Sequence, residues 1–167
     1  AQPSGDLKIL FSAGNFRLKG LGPLIEAIGD ISKKRRDFRL VVMGRGKRRR
    51  YSELIRRHNV TDLVVFLGEQ TSPEKVYRES HMLVHPTFYD ACSLTTMESM
   101  ASGLPTITTK WNGASALLSE GEGFVIDDPR NVVELSGAIS RLFDENLRIS
   151  MGKAARQKIE QFTMEKN

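Results

Sequence analysis

Short, unbroken apolar runs alternate with amphipathic stretches along this chain, and that alternation constrains the fold more than any other feature. "KILFSAG" (8–14), "FRLVVMG" (38–44), "LVVFLG" (63–68), "MLVHP" (82–86), "PTITT" (105–109) and "GFVID" (123–127) read as strands. Between them, "GPLIEAIGDISKKRR" (22–36) places Leu24, Ile25, Ile28 and Ile31 at helical spacing. "RYSELIRRHN" (50–59), "SPEKVYRES" (72–80) and "LTTMESMASG" (94–103) also read as helices. "PRNVVELSGAISRLFD" (129–144) and "NLRISMGKAARQKIEQF" (146–162) close the chain as two more. Strands that are apolar throughout belong to a sheet covered on both faces, and intervening helices make that sheet parallel. The expected fold class is α/β, a Rossmann-like three-layer αβα sandwich with a mainly parallel sheet of about six strands.

The 167 residues are expected to form one domain, 1–167. The lone cysteine, Cys92, excludes an internal disulfide and fits a reducing compartment. No apolar run approaches the roughly 20 residues of a membrane span. The start, "AQPSGDLKIL", has no Met and no charged-then-apolar order, and reads as a cut through a linker in something longer. The net charge of +5 is concentrated in "SKKRRDFR" (32–39) and "RGKRRR" (45–50). Such clusters attract nucleic acid, anionic lipid or phosphorylated ligands, or simply form a solvated helix end and loop. Aromatic residues do not interleave with them, which argues against a single-strand stacking platform, and no nucleic-acid partner is expected.

Parallel sheets bind ligands beyond the carboxyl ends of their strands, near a switch in strand order. Here "GNFRLKG", "GRGK", "GEQ" and "TFYDACS" follow the first four strands. In "DACSLTTME" a helix opens near Ser93 to Thr95, where free backbone N–H groups and the helix dipole favour an anion by roughly 0.3–1 kcal/mol. Glu98, one turn inside, has the chemistry to accept two hydrogen bonds from a vicinal diol such as a ribose, and Asp90 to hold another pair of hydroxyls. Structural roles fit the same residues: "TTME" as a capping box with Thr95 as cap, and Asp90 as a turn residue. Arg17 and Lys19 either reach a pyrophosphate or stand as solvated cations. Neither a P-loop nor G-x-G-x-x-G is present. Gly44 and Gly46 of "GRGK" would let a flat base approach the backbone. His81 and His85, four apart, fall on one face of a strand, but no third ligand accompanies them and no metal is expected. His85 reads as structural or as a ligand contact, and Cys92 either as a thiol activated by the helix end or, by preference, as a small packing residue.

Taken in order, these pieces resemble a known family. "DACSLTTMESMASGLPTITT" looks like a Glu-x7-Glu signature followed by a Gly-x-Pro strand, and "FRLKG" like a basic phosphate-binding loop. "VVMGRG", "LVVFLGEQ" and "GFVIDDPRNVVELSGAISRLFDE" follow in the family's order. Over nearly its full length the chain resembles the C-terminal, donor-binding half of a retaining group-1 (family 4) glycosyltransferase of the two-domain GT-B fold. The likeness is greatest to the glucosyltransferases of the lipopolysaccharide core. The resemblance implies that Glu98 holds the ribose hydroxyls and that Asp90 faces the donor sugar. Ser93, Leu94 and Thr95 match the backbone beside the sugar and pyrophosphate. Arg17 and Lys19 match the cations that neutralise the leaving diphosphate, and Asn15 of the same loop counts with the donor-binding residues. Gly44, Arg45, Gly68 and Glu69 match the region near the base. Two departures stand out: Asp90 where Glu is usual, and Ser93 where Gly is common.

The activity implied is transfer of a hexose from a nucleoside-diphosphate sugar, UDP-linked by resemblance, to a glycan or lipid-linked acceptor with retention of configuration. The nucleotide sugar is a substrate, and no cofactor or metal is implied. The acceptor belongs to an N-terminal domain absent from these 167 residues, so the chain alone is expected not to complete transfer. A cytoplasmic location is expected, with the basic clusters offered as a peripheral contact to the anionic inner leaflet. Two alternatives stay open: a nucleotide-sugar epimerase of the same architecture, and a basic non-enzymatic module for nucleic acid or membranes.

Overall fold

Each apolar run becomes a strand of one sheet in the computed structural model, which describes residues 6–165. The linker reading of the N-terminus falls mainly on residues 1–5, outside that range. The strands are β1 (Leu7–Ser12), β2 (Phe38–Met43), β3 (Val64–Gly68), β4 (Met82–His85), β5 (Thr106–Thr109) and β6 (Gly123–Ile126). All pairings are parallel, in the order β3-β2-β1-β4-β5-β6. The helices are α1 (Leu21–Ser32), α2 (Ser52–Arg57), α3 (Pro73–Glu79), α4 (Leu94–Ala101), α5 (Val132–Arg141) and α6 (Glu145–Glu165).

Successive strand residues point to opposite faces, so a strand apolar at every position needs cover on both. Ile9 and Phe11 of β1 pack with Leu24 and Ile28 of α1 and Leu135 and Ile139 of α5. Leu10, between them, packs on the other face with Val41, Leu83 and Tyr77 of α3. Met100 of α4 and Ala155 and Ile159 of α6 form a further cluster. Each large aliphatic or phenylalanine side chain among these, once buried, stabilises the fold by roughly 1.5–3 kcal/mol. The result is the three-layer αβα sandwich expected from the sequence.

From β1 the chain winds outward through β2 to β3, then returns to lay β4 on the other side of β1 and winds away through β5 and β6. The loops leaving β1 and β4 therefore diverge and open a crevice at the strand carboxyl ends. Gly20, at the N-cap of α1, has φ 84°, and a Cβ there would lie 2.0 Å from the Pro86 carbonyl oxygen. That close approach presses the loop after β1 onto the loop after β4. Gly44, with φ 129°, meets the Ala13 carbonyl in the same way, since its Cβ would fall 1.8 Å from that oxygen. The glycine of "GRGK" thus has a reason internal to the fold, the packing of the β1 and β2 loops.

Some boundaries differ from the sequence reading. "RYSELIRRHN" splits into a 3-10 turn, Arg48–Tyr51, and α2, and Asn59 ends the segment with φ 55°. Helix α5 starts at Val132 rather than 129, because Asn131 caps it by accepting from the Glu134 N–H at 3.1 Å. Ser72 precedes Pro73 at the start of α3, but its side chain makes no capping bond. A 3-10 turn over Gly113–Leu117 went unread; Asn112 caps it, accepting from the Ala114 N–H at 3.0 Å.

Asn112 is fully buried and does more than cap. Its Nδ2 donates to Thr96 Oγ1 at 3.0 Å and Thr108 Oγ1 at 2.9 Å. Thr108 and Thr109 in turn donate to the His85 and Thr87 carbonyls at 2.8 and 2.6 Å. Side chains of β5 thus fasten the loop that follows β4. Replacing Asn112 by Ala leaves three buried groups short of a partner. It is expected to cost about 2–4 kcal/mol and to lower the thermal midpoint by roughly 5–15 °C, measured by circular dichroism.

Candidate active site

The loops after β1 and β4 are joined by a charged contact. Lys19 Nζ donates to Asp90 Oδ2 at 2.8 Å and to the Tyr89 carbonyl at 3.0 Å. Both side chains are largely enclosed, 18% and 16% exposed. On the opposite side, Nε2 of the buried His85 lies 3.4 Å from the same Asp90 oxygen, and its ring stacks on Phe11. The His85 hydrogen bond, followed by Lys19, outweighs desolvation and holds the Asp90 carboxyl down at about 2. Asp90 is therefore ionised across the physiological range, and the His85 ring must present a proton at Nε2. The Asp90 backbone is fixed as firmly, its N–H donating to the Trp111 carbonyl at 3.1 Å and its carbonyl accepting from Gly113 at 2.7 Å.

Glu98 sits on α4 with a partner of its own. The buried Tyr77 hydroxyl, from α3, donates to Glu98 Oε2 at 2.9 Å. Burial first, then the Glu98 charge, pushes the Tyr77 hydroxyl far up, against the Ser12 and Thr95 hydroxyls beside it. Ser12 is the last residue of β1, so Glu98 is held at that strand's carboxyl end. Ser93, not Thr95, caps α4: its Oγ accepts from the Thr96 N–H at 3.1 Å. Glu98 does not reach back to cap the helix, so the capping-box reading of "TTME" does not describe this structure. Leu94 opens α4 with its side chain 67% exposed, beside the half-buried Thr95.

The remaining candidates gather on the other side of β1. Asn15 and Arg17 line a cleft of about 500 Å³ together with Tyr51 and Phe88. The adjoining cleft, about 270 Å³, adds Arg45, Lys47 and Arg50. Arg45 pairs with Glu69, and Gly44 N–H donates to the Gly68 carbonyl at 2.9 Å, so the ends of β2 and β3 are brought together. Arg17, Lys47 and Arg50 have no carboxylate partner among the described residues. Asn15 Oδ1 accepts from the Leu18 N–H at 3.1 Å and shapes the loop. The candidates thus form three groups around the end of β1: Lys19 with Asp90, Glu98 with Tyr77, and the cationic cleft.

The two basic clusters behave differently. In 32–39, Lys33, Arg35, Arg36 and Arg39 pair with Asp30, Asp37, Asp62 and Asp6. The cluster at 45–50 follows the carboxyl end of β2, and among the described residues only its Arg45 meets a carboxylate, Glu69. The histidines also part company. His81 precedes β4 and accepts the Lys8 N–H at 2.9 Å through Nδ1, whereas His85 serves Asp90 at the other end of the strand. Among the described residues no three His, Cys, Asp or Glu side chains gather as a metal-holding group, and no helix is long and apolar enough to cross a membrane. Sequence reasoning missed Tyr77, Asn112 and the bond from His85 to Asp90. A tyrosine at a core position of a polar helix was the available signal, because a buried hydroxyl needs a partner.

Because the folded-state pKa of Asp90 is depressed from 3.8 to about 2, its contribution is full above pH 4 and fades as the pH falls towards 2. Asp90→Asn is expected to lose about 1–2 kcal/mol at pH 7. The gap to the parent should narrow below pH 4 in urea melts run across that range.

Comparison with known proteins places this geometry. The chain is 29% identical over 163 residues to N-acetyl-alpha-D-glucosaminyl L-malate synthase of Bacillus anthracis, covering 95% of this chain and 42% of that protein. It is 24% identical over 151 residues to the lipopolysaccharide glucosyltransferase WaaG of Escherichia coli, covering 89% of this chain and 40% of that protein. The chain therefore spans about two fifths of these relatives' length. A crystal structure of WaaG, described as a glycosyltransferase of lipopolysaccharide biosynthesis, superposes with a TM-score of 0.87 at 24% identity, over 95% of this chain and 44% of that one. The pneumococcal O-GlcNAc transferase GtfA, solved with UDP and GlcNAc, superposes with a TM-score of 0.86 at 19% identity, over 96% of this chain and 34% of that one. These superpositions establish the GT-B half-domain fold. The model of the glycosyl transferases group 1 family matches residues 1–158, and the chain belongs to that family.

Proposed function

We propose that this chain is the donor-binding half of a retaining hexosyltransferase that takes its sugar from a nucleoside diphosphate, UDP in the first instance. The observation that carries the reading is the cleft at the strand-order switch. Its cations Arg17, Lys47 and Arg50 lack carboxylate partners among the described residues, and two fixed acids stand beside it. Free cations next to diol-accepting carboxylates suit a ligand that is anionic at one end and polyhydroxylated at the other. The UDP bound to GtfA supports a nucleotide as that ligand.

In this reading the diphosphate lies between Arg17 and the open end of α4. The ribose hydroxyls meet Glu98, the sugar faces Asp90, and the base lies toward Gly44, Arg45, Gly68 and Glu69. Tyr77 occupies Oε2 of Glu98 and leaves Oε1 for the diol. The barrier lies in parting the sugar from its diphosphate, where negative charge builds on the leaving oxygens. Fixed cations and helix N–H groups stabilise that charge, and removing one such group costs about 10²–10³ in rate. The acceptor, a glycan or lipid-linked saccharide such as a lipopolysaccharide core, would be held mostly by an N-terminal domain, and the chain alone would not complete transfer. Metal has no part in the reading, because the cations supply the positive field. The exposed residues 47–50 would also touch an anionic membrane on its cytoplasmic face, an idea that equal sedimentation with neutral and anionic vesicles removes. The basic-module alternative is disfavoured by the carboxylate pairing of the cluster at 32–39.

Titration of the chain with UDP, UDP-glucose, GDP and ADP by ligand-observed NMR tests the reading. Selective uridine binding is expected, weakened roughly tenfold by Glu98→Ala and less by Tyr77→Phe. Equal, steeply salt-dependent binding of every nucleotide, indifferent to Glu98, would instead establish the basic module. In the full-length enzyme, Lys19→Ala is expected to lower kcat by about 10²–10³ and, because the loop after β4 is held by its contact with Asp90, to raise donor KM by a smaller factor. Steady-state kinetics with UDP-glucose reads that split.

A further inference from the structure

A second cleft opens at the same edge of the sheet, one strand further from the donor site. It has a volume of about 390 Å³ and lies where the chain leaves β5 and β6, with Phe88, Trp111, Lys110, Asp127, Asp128 and Arg130 around it. Phe88 also lines the 500 Å³ cleft, so the two share a wall. Trp111 is 52% exposed and Phe88 37% exposed; apart from Tyr89, which follows Phe88 in the same loop and is 62% exposed, the other aromatic residues are buried or half-buried. Their backbones are tied to the donor site: the Trp111 carbonyl accepts from Asp90 at 3.1 Å, and Phe88 N–H donates to the Leu18 carbonyl at 2.9 Å.

Charge separates the two clefts. The first, with the cleft adjoining it, gathers Arg17, Lys47 and Arg50 with no carboxylate partner among the described residues. In the second every cation meets an acid: Lys110 lies 3.5 Å from Asp127, and Arg130 holds both oxygens of Asp128 at 3.0 Å. A balanced lining gives a phosphate no advantage. Two partly exposed aromatic side chains, Trp111 with Lys110 Nζ 5.6 Å from its ring centroid, stand beside paired carboxylates and cations and offer an apolar platform with donors and acceptors at its rim. That combination matches a neutral pyranose, whose C–H face seeks an aromatic ring while its hydroxyls seek fixed polar groups. We propose that the Trp111 cleft is a saccharide subsite that holds a neutral sugar ring of the acceptor beside the donor. Naming that sugar as the acceptor's rests on the transfer reaction proposed above; the saccharide subsite itself does not.

Trp111 is the sole tryptophan, so its emission reports on this cleft alone. The chain is titrated with maltotriose, chitobiose and lactose, following Trp111 fluorescence and the indole N–H signal by NMR, and separately with UDP. At least one saccharide is expected to give a saturable change with a dissociation constant on the order of millimolar, insensitive to salt. Asp128→Ala, and independently Asp127→Asn, should weaken it roughly fivefold or more while UDP binding stays unchanged, which also reports that each variant is folded. No saturable change with any of the three sugars, a response unaltered in both variants, or a response to inorganic phosphate in their place overturns the subsite. UDP binding without saccharide binding sinks this inference and leaves the donor reading standing. Saccharide binding without UDP binding keeps the subsite and overturns its assignment to an acceptor.

Discussion

Neighbouring strands β1 and β4 leave the sheet side by side, yet the chain around them winds in opposite directions. No ladder can join their loops, so the join is made by other means. Gly20 lets the backbones meet at Pro86, and Lys19 reaches across to Asp90. The pair is largely enclosed, and enclosed charges are costly unless each finds several partners. Asp90 has His85 as well as Lys19, and Lys19 has the Tyr89 carbonyl as well as Asp90. Remove either charge and the other stays desolvated at the mouth of the crevice. The geometry of the crevice therefore depends on this contact.

Around that contact the sheet sorts its charges by edge. At the amino ends of β1 and β2, Arg39 pairs with Asp6 and Arg35 with Asp37, and Arg35 also lies 3.9 Å over the Phe143 ring. Those cations are part of the fold. At the carboxyl ends Lys47 and Arg50 have no carboxylate partner among the described residues, and unpaired cations in a concave site raise the local concentration of anions. Two sequence clusters of similar composition thus have different consequences, and only their places in the sheet distinguish them.

The layers were legible because strands apolar at every position admit one solution, cover on both faces, and Ile9, Leu10 and Phe11 show it directly. Arg17, Lys19, Asp90 and Glu98 were legible as residues that follow strands, and the order of motifs gave them roles. Their partners were not. Tyr77 lies 21 residues from Glu98, and Asn112 lies 16 from Thr96; such contacts arise only when the sheet is assembled. A glycine after a strand suggests a close approach at Gly44, and the structure shows one that spacing does not reveal, to the Ala13 carbonyl. Spacing placed His81 and His85 together on a strand face, yet hydrogen bonding assigns them to opposite ends.

The departure from glutamate at Asp90 has a structural reading. A longer acid would carry its carboxylate more than about one ångström further from the backbone, and the backbone here is clamped by Trp111 and Gly113. Asp90 Oδ2 already receives Lys19 at 2.8 Å and faces His85 at 3.4 Å, with His85 buried and fixed by its stacking on Phe11. An extra methylene would break one of these contacts or push the loop outward. The shorter acid thus fits a site whose cation and imidazole converge on one oxygen, Oδ2. Where Glu98 reaches out from a helix with a tyrosine behind it, Asp90 works from inside a tight junction. The two acids of one signature then differ in reach because they are supported differently.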